Sequence, residues 1–121
     1  MHDTNDVQDT DPCIQCARSS VEHFVNTYEI LSLPSDLPPW MYDERAGVFV
    51  SLHIGEDLRG CMGTIEPTQT SVAEEIVRNG VLACSEDPRF SPVRIDELDL
   101  LSYSVDVLKR PEPYQASMNL T

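Results

Sequence analysis

Apolar residues recur at Ile14, Ala17, Val21, Phe24, Val25, Tyr28 and Leu31. Their spacing places them on one face of a helix. Asp11 is a good N-cap and Pro12 is tolerated at the first helical position, so a helix is predicted from about residue 12 to about 31, ending before Pro34. Pro34, Pro38, Pro39 and the single Trp40 come next. Prolines this dense stop helix and interior strand alike, which predicts an ordered loop over 34–46 pinned by Trp40.

After Gly47 the period falls to two. Val48-Phe49-Val50-Ser51-Leu52-His53-Ile54 alternates like a half-buried strand, Gly55-Glu56-Asp57 reads as a turn, and Leu58 to Ile65 as the returning strand. A three-residue loop sets Ile54 opposite Leu58, His53 opposite Arg59 and Ser51 opposite Cys61. Val48, Val50, Leu52, Ile54, Leu58 and Met62 then share the core face, and Phe49, Ser51, His53, Arg59 and Cys61 the other. A loop one residue longer or shorter breaks this correspondence.

Pro67 ends the hairpin. Ser71-Val72-Ala73-Glu74 has the form of a capping box, and Ala73, Ile76, Val77, Gly80, Val81 and Cys84 mark a second helix from about 71 to 85, broken at Asp87-Pro88. Asp96 to Leu100 suggests a short helical turn. Leu101, Tyr103, Val105 and Val107 alternate as a third strand, stopped by Pro111 and Pro113, with the last eight residues as loop. The expected class is α+β: two helices packed on a small, at least partly antiparallel sheet containing one clear hairpin.

Length and charge narrow the function. A chain of 121 residues is enough for one domain, read here as residues 11–121 behind a disordered acidic arm over 1–10 that carries Asp3, Asp6 and Asp9. Lys+Arg number 8 against 21 Asp+Glu, a formal net charge of -13, which argues against nucleic-acid partners and anionic membrane surfaces. No apolar run is long enough to span a bilayer and no basic, apolar leader is present, so a cytoplasmic protein with reduced cysteines is expected. Seven of the eight cations are Arg, which leaves room for a local basic pocket.

Candidate chemistry concentrates in Leu58-Arg59-Gly60-Cys61-Met62-Gly63-Thr64. Two glycines weaken a strand unless something must approach its backbone closely, whether a ligand or a packed helix; spacing leaves both open. Arg59 and Cys61 point to one face. An arginine offers a fork for carboxylate or phosphate, and a cation beside a thiol favours thiolate. His53, across the hairpin, is either a base for Cys61 or a solvated strand histidine. Asp87-Pro88-Arg89-Phe90 follows the second helix, with Arg89 free to pair with Asp87 or Glu86 or to turn toward the sheet. Cys84 reads as core. Cys13-Ile14-Gln15-Cys16 opens a helix, yet a thioredoxin-like site needs a strand feeding it, and the acidic residues before it supply none. Helical geometry places Cys13 at the core edge and Cys16 on the surface. The cysteines and histidines show no zinc-ligand spacing, so no metal site is expected.

Asp11-Pro12, Ala17-Arg18, Ala46-Gly47-Val48-Phe49-Val50-Ser51, the Arg59–Thr64 stretch, Glu74-Glu75-Ile76, Asp87-Pro88-Arg89-Phe90-Ser91-Pro92-Val93, Glu97-Leu98 and Val105-Asp106-Val107-Leu108 occur in that order. Together they resemble the AMMECR domain family, also called AmmeMemoRadiSam system protein A, over nearly all of residues 11–121. Met62 stands where the family usually has Ile, and Cys13 and Cys16 stand where it carries other residues, so the C-x-x-C is not a family device. The resemblance implies the N-terminal portion of a longer domain, with surface left exposed where the C-terminal part is missing. It implies no established reaction, leaves any cofactor unknown, and links the family by gene association to a Memo-like protein and a radical SAM protein. Two functions follow. In one, Arg59 and Cys61 are catalytic, with Gly60, Gly63, Thr64, Asp87, Arg89 and Phe90 binding substrate in a shared cleft. In the other, the motif is architectural and the domain docks partners.

Overall fold

The structure, a computed structural model, describes residues 11–108. The acidic arm and the segment after Leu108, with its two prolines, lie outside the described residues. Helix α1 (Pro12–Thr27) starts as its sequence dictates: the Asp11 carboxylate accepts from the Cys13 and Ile14 N–H groups, at 2.8 and 3.4 Å, satisfying two donors a helix start leaves free. It stops four residues short of the expected end. Tyr28 turns into the left-handed region (φ 62°) and donates its N–H to Phe24 O, while Thr27 Oγ1 accepts from Glu29 N–H. Leu31 still packs on the core, but from the chain beyond the helix.

The proline-rich stretch is not all loop. Helix α2 (Pro39–Asp43) lies within it, begun by proline at its first position. Met41, fully buried, is its anchor; Trp40 stays 38% exposed and is not the pin expected of it. Tyr42 ties the preceding turn, its hydroxyl donating to Pro34 O and accepting from Leu37 N–H.

Strands β1 (Val48–Ile54), β2 (Asp57–Gly63) and β3 (Leu101–Val107) form an antiparallel sheet in the order β2-β1-β3. Gly55 (φ 61°) and Glu56 make a two-residue turn with glycine first, as type II′ geometry requires, so Ile54 faces Asp57 rather than Leu58. A bulge opposite Leu52 and His53 then absorbs one extra residue, Arg59. The short turn and the bulge cancel, and Ser51 faces Cys61 as expected. Two expectations fail between them. His53 faces Leu58 instead of Arg59, and Leu58 leaves the core face.

Helix α3 (Val72–Ser85) is capped by Ser71 Oγ, which accepts from Glu74 N–H at 3.2 Å. Glu74 does not complete the capping box; its carboxylate turns to the Thr70 N–H and hydroxyl. Cys16 Sγ meets Ala73 O, and one turn on Ser20 Oγ donates to Val77 O at 2.8 Å, so α1 and α3 run side by side in the same direction. Both pack on the sheet face formed by Val48, Val50 and Leu52, each fully buried. Burying each of those side chains stabilises the fold by about 1.5–3 kcal/mol. Because α1 meets α3 as well as the sheet, a wider arc of it is covered than its apolar stripe suggests. Cys16 is therefore buried, only 1% exposed, not on the surface. A 3₁₀ helix (Ile95–Leu100) leads into β3.

Candidate functional site

The bulge turns Arg59 out of the β-ladder and aims it at the chain beyond α3. Its Nε and one terminal nitrogen donate to the two Glu97 carboxylate oxygens at 3.0 and 2.8 Å, and the guanidinium also reaches Ser91 O (2.8 Å) and Pro92 O (3.2 Å). Four of its five N–H groups therefore have partners, in a pair whose side chains are only 14% and 16% exposed. Glu97 also accepts the Arg94 N–H at 2.9 Å. These bonds, Arg59 foremost, outweigh burial and pull the Glu97 carboxyl from 4.5 down to about 2.

Gly60 is the floor on which α3 rests. A Cβ there would lie 2.3 Å from Ala83 O, so only glycine lets the helix backbone come this close. Gly63 makes room in turn for the Phe49 ring opposite it, which a Cβ would meet at 2.2 Å. The helix-packing alternative thus accounts for Gly60, and cross-strand packing for Gly63.

Cys61 occupies the other sheet face, half-buried, with the Ser51 hydroxyl donating to its sulfur at 3.3 Å. Its backbone N–H points off the sheet edge and is taken at 3.0 Å by Asp87, whose other oxygen accepts from Arg89 N–H. Arg89 closes a two-pronged pair on the same carboxylate (3.0 and 2.8 Å) and lies over the Phe90 ring at 5.4 Å. Asp87 is thus Arg89's partner, not Glu86. The pair is lopsided, the Asp87 side chain 3% exposed and that of Arg89 58%. Arg89's hydrogen bonds, outweighing burial, hold the Asp87 carboxyl far below the ordinary carboxylate range. Asp87 thus links the Cys61 backbone to the Arg89 guanidinium.

Thr64 belongs to a separate cluster. Its hydroxyl donates to Glu75 (2.8 Å) and accepts from Val48 N–H and the Asn79 amide. Glu75 is fully buried and also receives the Thr68 hydroxyl and the Thr68 and Gln69 N–H groups. Burial alone would push its carboxyl up; the donors from Thr68, Gln69 and Thr64 outweigh this and hold it below its ordinary value.

The structure therefore gathers Arg59, Gly60, Cys61, Asp87, Arg89 and Phe90 at one sheet edge, puts Gly63 under Phe49, and sends Thr64 to another network. Sequence reading missed Glu97 as Arg59's partner, Ser51 as the group on the thiol, and Glu75 as a buried hub. An acid on α3's buried face, with Thr64 and Thr68 shortly before it, was the available sign of the hub. No local pattern ties residue 97 to residue 59. Two clefts, of about 500 and 480 Å³, are lined by neither Cys61, Arg59 nor Arg89. Burial pushes the thiols of Cys13, Cys16 and Cys84 up to about 11, 12 and 12, the reverse of what a redox pair needs. Among the described residues no three metal-ligating side chains cluster, and no helix is long and apolar enough to cross a membrane.

Such a fold and edge define an α+β domain whose signature motifs meet in space as a hydrogen-bonded junction. The AMMECR1 family model matches residues 14–121, and the chain belongs to that family. It is 45% identical over 106 residues to Protein CA_C1420 of Clostridium acetobutylicum, covering 87% of this chain and 23% of that one. With a Thermotoga maritima protein it shares 40% identity over 103 residues, 84% of this chain and 59% of the other. The crystal structure of the uncharacterized protein PH0010 from Pyrococcus horikoshii superposes with a TM-score of 0.73 at 30% identity, over 82% of this chain and 53% of that one. The chain thus spans about half the length of most of these relatives, and less than a quarter of the first.

Proposed function

We propose that this chain is a non-catalytic docking domain. It works beside a second protein, with the Memo-like and radical SAM proteins that the family resemblance brings in as its partners and the cytoplasm as its location. The observation carrying this reading is the state of Arg59: an arginine clasped by Glu97 and two carbonyls is holding the fold together and has little left to hold a substrate anion. The relative of which the matched stretch makes up only 23% adds support, since there the domain shares one chain with much other sequence. The helices pack on one face of the sheet and leave Phe49, Ser51, Cys61 and the exposed Ser104 on the other, where a partner can sit.

Calorimetric titration of the chain with a Memo-like protein and with a radical SAM protein tests the reading. Micromolar or tighter association with either, weakened by Ser104→Arg, is the expected result. Association with neither contradicts it.

One observation favours a second reading, thiol chemistry at Cys61 with Arg89 beside it and Asp87 and Phe90 holding that arginine. Cys61 alone of the four cysteines is not buried, and its sulfur is already a hydrogen-bond acceptor. In that reading Arg59, Gly60, Gly63 and Thr64 shape the site without touching substrate. Iodoacetamide alkylation of Cys61 that stays fast below pH 7, and slows in Arg89→Ala, would favour it over docking.

A further inference from the structure

A cleft of about 500 Å³ lies away from the Cys61 edge, between α3 and the chain that follows α1. Ile30, Leu31, Leu33 and Val77 give it apolar walls, and Ser32, Gln69, Glu74 and Arg78 supply its polar atoms. Small-molecule sites have this size and this mixture. Both walls are pinned. Leu31 and Leu33 pack on the core, and Glu75 holds the Gln69 N–H while Arg45 donates to Gln69 O at 2.9 Å. The cleft is therefore formed before anything binds, which lowers the entropy of binding that must be overcome.

Arg78 is the unusual member. It is exposed on α3 and has no hydrogen-bond or ion-pair partner among the described residues, in a chain of net charge -13. Its natural helical partner is Glu74, one turn earlier, but that carboxylate has turned back to Thr70 at the helix start. Arg78 thus lines the partly apolar cleft with its guanidinium unpaired among the described residues. A planar carboxylate matches its fork. Glu74 in the same wall disfavours a doubly charged phosphate.

We propose that this cleft binds a small organic monocarboxylate with an apolar body, its carboxylate on Arg78 and its hydrocarbon against Ile30, Leu31, Leu33 and Val77. The site is independent of the docking reading and of Cys61.

Titration of the isotope-labelled full chain with octanoate, followed by amide NMR shifts, tests it, with 1-octanol as the uncharged control and Arg78→Gln as the variant. Arg78 is exposed, so the variant keeps its fold, which its own spectrum verifies. Expected are saturable shifts at residues 30–33 and 74–78, weaker by about tenfold or more both in Arg78→Gln and for octanol, as loss of a charge-assisted hydrogen bond implies. Absence of saturable shifts there, or equal binding by the variant or by octanol, overturns the proposal.

Discussion

Arg59 and Glu97 show how one side chain can join segments that the sequence keeps 38 residues apart. Neither is well solvated, so removing one partner strands the other's charge as well as losing hydrogen bonds. Glu97→Gln should lower unfolding free energy by about 1–3 kcal/mol in urea denaturation at pH 7. The same pair fixes the acid response. Because the folded carboxyl is held at about 2 against 4.5 when unpaired, the unfolded chain binds the proton first as pH falls. The stability from this pair is full above about 4.5 and is lost on the way down to about 2. Urea midpoints measured from pH 6 to 2.5 should fall, and fall less steeply in Glu97→Gln. The cysteines give a second check at this scale. With three thiols buried and raised to about 11 or 12, mass spectrometry after brief alkylation of the native protein at pH 8 should find Cys61 modified first and Cys13, Cys16 and Cys84 only on unfolding.

At the scale of elements, two glycines of one hairpin are required for different reasons. Gly60 lacks space: Gly60→Ala drives a Cβ into the Ala83 carbonyl and should cost about 1–3 kcal/mol as α3 shifts. Gly55 has open space around it but a positive φ, so Gly55→Ala should cost about 1–2 kcal/mol through backbone strain alone. Urea unfolding measures both, and only Gly60→Ala should also perturb the amide signals of α3. The hairpin also shows what a sequence carries and what it hides. Alternation placed β1 correctly from Val48 to Ile54, since each inward residue had a core to fill. Turn length and bulge were not legible, because Gly-Glu-Asp suits more than one turn and a bulge is decided by where Arg59 must reach. The end of α1 was hidden likewise: Tyr28 and Leu31 continue the apolar period, yet local bonds at Thr27 and Tyr28 stop the helix before it.

For the whole molecule, periodicity and proline placement gave the α+β class and the helix-strand-strand-helix-strand order of the larger elements, because those signals are local. The Arg59–Thr64 and Asp87–Phe90 stretches were legible as places of consequence, and the fold does bring Cys61, Asp87 and Arg89 together at one edge. Their division of labour was not legible. Which carboxylate takes Arg59, and that Thr64 turns to Glu75, depend on α3 crossing over Gly60, a contact between residues far apart in the chain. The proposed docking function rests on Arg59 being a structural clasp, whereas an arginine that serves only to hold substrate is dispensable to the fold. Equilibrium urea unfolding of Arg59→Gln beside the unsubstituted chain at pH 7 separates the two. A loss of about 2–4 kcal/mol is predicted for the clasp, and unchanged stability would contradict it.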